Sequence, residues 1–488
     1  MESVCPKGRT IEIMYWERKV MKFTRRSFLA TAALGATGLA LAACAPKATE
    51  TPSDAPAAQP GDQPAAPASG EKKLIKYHIF WNQPQALEEP FRATDEWKAM
   101  EESGLEIEFG TGRGGDAGKT AVAAGTPPDV GDLGFTLDFA LGGKLMDLAP
   151  FVDASEKISP EMFYEQNWVQ GQWQGVQYGV PAHEGFVRRV LYWNKEMVAN
   201  AGLDNDNPPT TWEELFEWHK KLTVFDAAGN LTQFGIDPYD AEGGTGPGGD
   251  GWCIADLWDI PWFDEATGTF AVNHERMVEA LDAYAEFVRH MGPDNLQGMR
   301  SVEGQGTWGG SFNAEVQAMI IEGYWHSGET VKEKPEVAEK IASSWVPVPA
   351  WRDGDKVQTY SGHVTSLFAE GENAQYAFPI IEFLNSKAAC DLIFEGIGWL
   401  PGQADYIATV DGTKFPGLEF VLKSADEATH RYYDNQVPIR SFVETKYIQY
   451  REQVYRDAMT AQEAADQFQK DVESEWVESG WADRWGQA

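Results

Sequence analysis

The chain has 488 residues, which is enough for two or three domains with sizeable hydrophobic cores. Hydrophobic residues make up 43% of it and charged residues 24%, a balance typical of packed globular proteins and not of disordered ones. Its 75 acidic and 40 basic residues give a formal net charge of -35, which repels phosphate backbones and argues against nucleic-acid binding.

Residues 1–43 are typical of an export signal. Thr24–Leu29 has a twin-arginine pattern. The apolar run that follows is too short and too rich in Gly and Ala for a membrane span. Because the first region of such signals is short, we expect translation to start at Met21, which makes residues 1–20 an upstream mis-start.

A lipid-attachment site ends this signal. Leu41–Cys44 resembles a lipobox, in which small residues precede a cysteine whose thiol takes a diacylglyceryl group. We expect Cys44 to anchor the exported chain to the cell membrane, facing the extracellular or periplasmic side. Residues 44–72 are dense in Ala, Pro, Ser and Asp, so they predict a lipidated cysteine followed by a disordered tether. Whether the remaining Cys253 and Cys390 pair is left open by the sequence.

Strand and helix patterns alternate after the tether. Leu74–Phe80 is a β-type run, a helical pattern follows as far as Gly104, and a second strand spans Leu105–Phe109. The order repeats with a helix over Ala117–Ala124 and a strand over Asp129–Leu133. This strand–helix–strand order predicts a parallel α/β sheet.

Later parts of the chain carry clear helix signals. Thr211 and Glu214 form a capping box that opens a helix through Leu222. The segment Met277–Met291 has apolar residues at spacings of three and four, as an amphipathic helix requires. Pro379 falls inside a further helical pattern, so we expect a kink or a late start there.

The glycines after the second strand do not predict a nucleotide site. Gly110–Gly115 fits GxGxxG, but a dinucleotide fold has these glycines after its first strand. The next acid on a strand, Asp129, follows Gly115 by 14 residues instead of about 20. Gly118–Thr120 resembles the end of a phosphate loop, yet Arg113 stands where the loop needs glycine. We predict no cofactor.

Catalytic and metal-binding motifs are missing from the sequence. It has no HExxH, GxSxG, EF-hand or CxxC pattern, and its eight histidines are scattered. Among 75 acids some near pairs arise by chance, so spacing does not mark Asp240, Asp250 or Glu184 as the catalytic carboxylates of a glycosidase. We predict no catalytic residue and no metal ligand.

Six short phrases occur in a fixed order over roughly 200 residues. They are Ala124–Val130, Gly143–Leu148, Tyr178–Pro181, Tyr192–Lys195, Pro208–Leu215, and Ala318–Met319 leading to Gly323–Trp325. In this order, behind a lipoprotein signal, they resemble the maltose-binding-protein-like (family 1) extracellular solute-binding proteins of ABC importers. The resemblance continues more weakly through Ser361–Gly362 and Leu400–Pro401 to the C-terminal helices.

This resemblance implies an α/β, two-lobe periplasmic-binding-protein-like fold with hinge crossings and a ligand cleft between the lobes. From the positions of the phrases we expect the N-lobe at 73–181 plus 359–398 and the C-lobe at 182–358 plus 399–488. The implied function is capture of a sugar or oligosaccharide outside the membrane and its delivery to the permease of an ABC transporter. We expect a monomer that closes on its ligand, because the ligand touches both lobes only in the closed form.

A sugar offers an apolar C–H face and a rim of hydroxyls, so its site needs aromatic plates and short polar groups. Loops at the carboxyl ends of strands hold ligands in open α/β sheets. The candidate ligand-binding residues are Trp81, Asn82, Asp132, His183, Glu184, Trp252, Trp308, Trp325 and Trp399.

Trp325 is the first candidate, because the resemblance places a ligand-stacking aromatic at its Gly-Tyr-Trp phrase. If its ring faces solvent in the open form, replacement by alanine should change stability little. A core position would cost about 3 to 5 kcal/mol. Trp252 ends a glycine-rich loop over Gly243–Gly251, which is either a cleft-facing insertion or a surface loop.

Other classes of exported protein are compatible with the same signal. A glycoside hydrolase would turn over oligosaccharides, and a twin-arginine-exported oxidoreductase would carry a coloured cofactor. A polymer-adhering surface protein would bind insoluble polysaccharide without a discrete soluble ligand.

Overall fold

A computed structural model gives the fold, and it describes residues 72–79, 87–111, 115–132, 137–240, 253–302, 310–433 and 437–486. The chain divides into two compact units, 1–61 and 62–488, and every described residue belongs to the second unit. The predicted signal, Cys44 and most of the tether lie outside the described residues. In the described ranges, no helix combines the length and apolarity that crossing a bilayer requires.

The strands of the described residues vary from two to eleven residues in length. They are β1 Lys73–Ile79, β2 Leu105–Thr111, β3 Val130–Asp132, β4 Gln172–Trp173, β5 Val176–Gln177, β6 Val180–Val187, β7 Val190–Asn194, β8 Val224–Phe225, β9 Leu231–Gln233, β10 Phe263–Asp264, β11 Thr269–Phe270, β12 Met319–Glu322, β13 Ile341–Ser344, β14 Val357–Leu367 and β15 His430–Tyr433.

Helices connect and cover these strands. They are α1 Glu88–Ala93, α2 Asp95–Glu102, α3 Gly115–Ala123, α4 Leu137–Leu141, α5 Ala149–Ala154, α6 Glu165–Val169, α7 Lys195–Asn200, α8 Trp212–Leu222, α9 Cys253–Leu257, α10 Glu275–Met291, α11 Pro293–Val302, α12 Gly310–Asn313, α13 Trp325–Glu333, α14 Pro335–Ala338, α15 Phe378–Leu384, α16 Lys387–Ile397, α17 Ala404–Ile407, α18 Leu418–Glu427, α19 Arg440–Tyr455, α20 Ala461–Glu478 and α21 Trp481–Arg484. Short 3₁₀ turns lie at Pro160–Met162, Ala350–Arg352 and Ala374–Tyr376.

The main sheet has the strand order β15-β14-β3-β1-β2, and β6 pairs with β14. Strand β1 runs parallel to both β2 and β3, as the strand–helix–strand order predicts. Strand β14 is antiparallel to β3 and β6, so the complete sheet is mixed and not purely parallel. The local repeat could not predict this, because β14 comes from a distant part of the chain.

The small antiparallel sheet β12-β7-β13 lies between two hydrophobic cores. Successive side chains of a strand point to opposite faces. Leu191 and Trp193 of β7 therefore pack into the core around α8, α10, α19 and α20, while Val190 and Tyr192 pack into the core of the main sheet. Ile320 of β12 joins the main-sheet core.

The two cysteines of the described residues lie in these different cores. Cys253 belongs to α9 and the first core, and Cys390 belongs to α16 and the main-sheet core. Both are buried, and no disulfide joins them. The pairing that the sequence left open is therefore not made.

Helix ends follow from local capping chemistry. The helical pattern before Gly104 splits in two, because the Thr94 hydroxyl caps α2 by accepting the Trp97 N–H at 3.2 Å. The predicted capping box at Thr211 is confirmed, and it opens α8. Pro379 lies in the first turn of α15, so the expected late start is also confirmed.

A buried neutral histidine in α8 makes stability depend on pH. The Nδ1 atom of His219 accepts the Ile236 N–H at 3.1 Å, and burial lowers the pKa of His219 to about 3. The unfolded chain takes up a proton near pH 6.5 that the folded chain refuses, so stability falls as the pH drops below 6.5. The loss is about 1.4 kcal/mol per pH unit.

We expect His219→Gln to weaken this acid sensitivity, because a glutamine can accept the same N–H and does not titrate. Urea unfolding of both proteins at intervals from pH 7 to pH 4 measures the two slopes. Parallel slopes would show that His219 is not neutral in the folded chain.

Candidate ligand-binding site

Polar side chains converge where the main sheet ends. Strand β3 ends at Asp132, and the pairing of Ser366 with Gly131 sets the antiparallel β14 beside it. His363 lies three residues before Ser366 in β14, so it is placed just past the carboxyl end of β3. Strand β6, on the other side of β14, carries His183 and Glu184.

Asp132 links two histidines. Its side chain is fully buried, and Oδ2 lies 2.8 Å from Nδ1 of His363 and 3.4 Å from Nδ1 of His183. Nε2 of His183 is hydrogen-bonded to the hydroxyl of Tyr77. Oδ1 of Asp132 has no hydrogen-bond partner in the part of the chain that the structure describes. A buried oxygen of this kind is available to a ligand or to water.

The pKa values of the two histidines shift in opposite directions. Burial lowers the pKa of His183 to about 4, although Asp132 partly offsets the effect. Burial also opposes the charged form of His363, but the carboxylates of Asp132 and Glu184 outweigh it and raise the pKa of His363. His363 therefore holds its proton to a higher pH than His183 does.

The backbone of His183 is strained. Its φ is +62°, in the left-handed region that side chains other than glycine rarely adopt. Such a conformation costs of order 1–3 kcal/mol and is found mainly at functional sites, where the surrounding contacts enforce it.

Glu184 extends the network to Arg188 and the aromatic side chains. Its Oε1 accepts from Nη2 of Arg188 at 2.7 Å and lies 3.3 Å from Nε2 of His363, while Oε2 accepts from the Tyr324 hydroxyl at 2.8 Å. The Arg188 guanidinium lies 4.4 Å from the ring centroid of Trp325. A cation over an indole face stabilises both groups and fixes the ring.

Carboxylates orient both of the described candidate tryptophans. The Trp325 Nε1–H donates to Oε1 of Glu322 at 2.9 Å, and the Trp399 Nε1–H donates to Oε1 of Glu329 at 2.8 Å. The Trp399 ring meets His363 edge to face, with centroids 5.5 Å apart. Trp325 is 7% exposed and Trp399 is 4% exposed, so neither ring faces open solvent in this structure.

Glycine is required in the Gly-Tyr-Trp phrase. A Cβ atom on Gly323 would lie 2.1 Å from Cζ3 of Trp325, so the ring occupies the space of any side chain there. We expect Gly323→Ala to displace the ring, to cost about 1–3 kcal/mol of stability and to weaken ligand binding. Gly298→Ala in α11 is the control, because nothing lies within 4 Å of the added Cβ. Equal melting temperatures and affinities for both variants would contradict this.

The structure joins five of the nine predicted site residues into one network: Asp132, His183, Glu184, Trp325 and Trp399. The other four, Trp81, Asn82, Trp252 and Trp308, lie outside the described residues. The loop over Gly243–Gly251 also lies outside them.

Sequence reasoning missed Tyr77, Arg188, Tyr324 and His363 as members of the network. His363 directly follows the matching phrase Ser361–Gly362, which was a usable signal. Arg188 had none, because its position depends on how the chain leaves β6.

A separate cavity of about 860 Å³ lies beside α8 and α10 and has an acidic lining. Its lining contains none of the network residues. Several of its carboxylates are paired within the chain, Glu217 with Lys220 and Asp282 with Arg289. These pairs make the cavity a weaker candidate than the network.

Two solved structures share the fold over most of the chain. CpMnBP1 with mannotriose bound is 19% identical, with a TM-score of 0.69 over 82% of this chain and 99% of that one. The ABC substrate-binding protein Lmo0181 from Listeria monocytogenes, in complex with cycloalternan, is 18% identical, with a TM-score of 0.66 over 83% and 99%. At these identities the similarity shows the fold, which is the predicted two-lobe α/β class.

Curated relatives match only a short segment. The sn-glycerol-3-phosphate-binding periplasmic protein UgpB of Rhizobium meliloti (strain 1021) is 51% identical over 39 residues. This segment is 8% of the chain and spans only 9% of that relative's length.

A family model described as "Bacterial extracellular solute-binding protein" matches residues 81–389, more than half of the chain. Members of this family are binding proteins that work outside the cytoplasm, which favours capture of a solute over the exported enzymes considered as alternatives. The family agrees with the resemblance that the six phrases predict. The chain belongs to the bacterial extracellular solute-binding protein family.

Proposed function

We propose that this protein captures an uncharged sugar or oligosaccharide outside the membrane and delivers it to the permease of an ABC transporter. The observation that carries the proposal is the buried network in which carboxylates orient two tryptophan rings beside Asp132, Glu184 and His363.

This network has the chemistry that a sugar requires. Carboxylate oxygens accept from sugar hydroxyls, Arg188 and His363 donate to them, and Trp325 and Trp399 are flat apolar faces of the kind that cover pyranose C–H groups. Trp81 and Asn82 follow Ile79, which pairs with Asp132 in the sheet. We therefore keep them as ligand-binding candidates, together with Trp252 and Trp308.

The structural relatives include proteins with oligosaccharides bound and a protein with the monosaccharide alpha-D-tagatose bound. CpMnBP1 is known with mannotriose and with mannobiose bound, and Lmo0181 with cycloalternan. Mannotriose and mannobiose are therefore the first ligands to test.

Glycerol 3-phosphate is the second candidate, because the UgpB proteins match a segment of the chain. The charges of the network disfavour it. Arg188 and His363 are both bonded to carboxylates, and Glu322 lies beside the Trp325 ring. A phosphate dianion there would meet more negative than positive charge.

Native mass spectrometry distinguishes these ligands. The purified chain is incubated with equal concentrations of mannotriose and sn-glycerol 3-phosphate, and the mass of the complex is read. We expect a mannotriose adduct that disappears in Asp132→Ala. A glycerol 3-phosphate adduct, or a mannotriose adduct of equal intensity in Asp132→Ala, would overturn the proposal.

The domain boundaries and the anchor belong to the same proposal. We keep the N-lobe at 73–181 plus 359–398, the C-lobe at 182–358 plus 399–488, a monomeric state and lipidation at Cys44. If Cys44 carries the anchor, Cys44→Ser releases the protein from membranes; a variant that still sediments with membranes would refute the anchor.

A further inference from the structure

Helix α13 and the end of α16 touch at their backbones. A Cβ atom on Gly328 would lie 2.7 Å from Cα of Gly398, the left-handed residue with φ +84° that ends α16. Only a pair of glycines allows this approach. Trp399 follows Gly398, and Glu329 follows Gly328. The backbone contact therefore brings Trp399 and Glu329 together.

Glu329 lies on the same face of α13 as Trp325, four residues earlier. The Glu329 side chain is buried, and Oε1 accepts the Trp399 N–H at 2.8 Å. Oε2 is also buried and has no hydrogen-bond partner among the described residues. Trp325 and Trp399 both belong to the proposed sugar site, and Glu329 is next to both, four residues after Trp325 in α13 and hydrogen-bonded to Trp399.

The groups around Glu329 are acidic. Burial is the main reason why the pKa of Glu329 is raised well above 4.5. Glu322, Glu333 and Glu184 raise it further, and the hydrogen bond from Trp399 partly offsets them. The nearby Lys332 donates to the carbonyl of Glu395 at 2.7 Å instead. A protonated carboxyl has one O–H to donate. A buried donor without an acceptor is unfavourable, and a ligand oxygen would satisfy it.

We propose that Glu329 is a ligand-binding residue that acts as an uncharged carboxyl, with Oε1 holding the Trp399 ring and the Oε2 hydroxyl donating to an oxygen of the bound sugar. This inference rests on the proposed function. In this role Glu329 donates a hydrogen bond to the sugar, whereas the ionised carboxylates of the site only accept hydrogen bonds.

Two substitutions test the inference through binding. Glu329→Gln keeps an acceptor for Trp399 and an N–H donor at the second position, whereas Glu329→Ala keeps neither. Calorimetric titration with mannotriose at pH 6 should show wild-type affinity within about threefold for Glu329→Gln and a loss on the order of tenfold or more for Glu329→Ala. Glu336→Gln, an exposed glutamate of α14, is the control and should bind as wild type.

The pH dependence tests the uncharged state. Wild-type affinity should fall as the pH rises and the carboxyl ionises, and Glu329→Gln should show less of this fall. Wild-type affinity for Glu329→Ala, or the same pH profile for wild type and Glu329→Gln, would overturn the inference.

Unfolding without ligand gives a second readout. The unfolded chain releases the Glu329 proton near pH 4.5 while the folded chain keeps it, so this residue removes stability as the pH rises above 4.5. Glu329→Gln should therefore gain stability over wild type toward neutral pH. If wild type binds no sugar, the proposed function fails and the ligand role of Glu329 fails with it, while this comparison still decides whether the carboxyl is uncharged.

Discussion

Replacing Asp132 with alanine is expected to weaken sugar binding about 10- to 150-fold and to lower the free energy of unfolding by about 3 to 5 kcal/mol. The affinity falls because a charged hydrogen-bond acceptor at the centre of the site is lost. The stability falls because the His363 imidazole loses its 2.8 Å contact with the Asp132 carboxylate and keeps only its contact with Glu184. Removing Asp132 also lowers the pKa of His363, since that carboxylate favours the charged imidazole.

Asp129 provides the matched control for this prediction. It is buried directly before β3, where its carboxylate accepts the N–H groups of Lys76 at 2.8 Å and Asn373 at 2.6 Å. Asp129→Ala should therefore lose stability, because two backbone N–H groups lose their acceptor. It should keep its affinity for sugar at temperatures where it is folded. Calorimetric titration and urea unfolding separate the two variants. Equal affinities for both would contradict a ligand role for Asp132.

Replacing Trp325 with alanine is expected to reduce both affinity and stability. Only 7% of the ring is exposed in this structure, so its direct contact area with a ligand is small and its loss should lower affinity on the order of tenfold or less. Because the ring is 7% exposed and packs under Arg188, the substitution should also cost about 3 to 5 kcal/mol of stability. The sequence left open whether the Trp325 ring faces solvent or packs in the core. The structure favours the core position, with its larger loss of stability.

Trp351→Ala is the control for Trp325, because Trp351 is 48% exposed and outside the network. It should keep wild-type affinity and nearly wild-type stability. A Trp325→Ala protein with reduced melting temperature and unchanged affinity would assign Trp325 to the core alone. It would remove this residue from the site.

The sequence predicted the members of the candidate network whose positions depend on local order. Asp132 could be predicted because it ends a short strand that follows Pro127 and Pro128. Ligands of open α/β sheets bind at the carboxyl ends of parallel strands. Glu184 and Trp325 could be found because matching phrases precede or contain them.

The remaining contacts depend on pairing between distant strands. His363 reaches Asp132 only because β14 runs antiparallel to β3, and 231 residues separate the two side chains in the chain. The local strand–helix–strand pattern predicted a parallel sheet and gave no information about this pairing. The unpartnered oxygen of Glu329 likewise depends on the backbone contact between α13 and the end of α16.

Titration calorimetry with mannotriose at pH 7 tests the central claim that the Asp132 network is a site for an uncharged oligosaccharide. Wild type, Asp132→Ala and Asp129→Ala are measured side by side, each at a temperature where it is folded. The account predicts saturable binding to wild type and Asp129→Ala, and binding weakened at least tenfold in Asp132→Ala. Saturable binding of equal affinity to all three proteins, or no heat of binding with wild type, would contradict it.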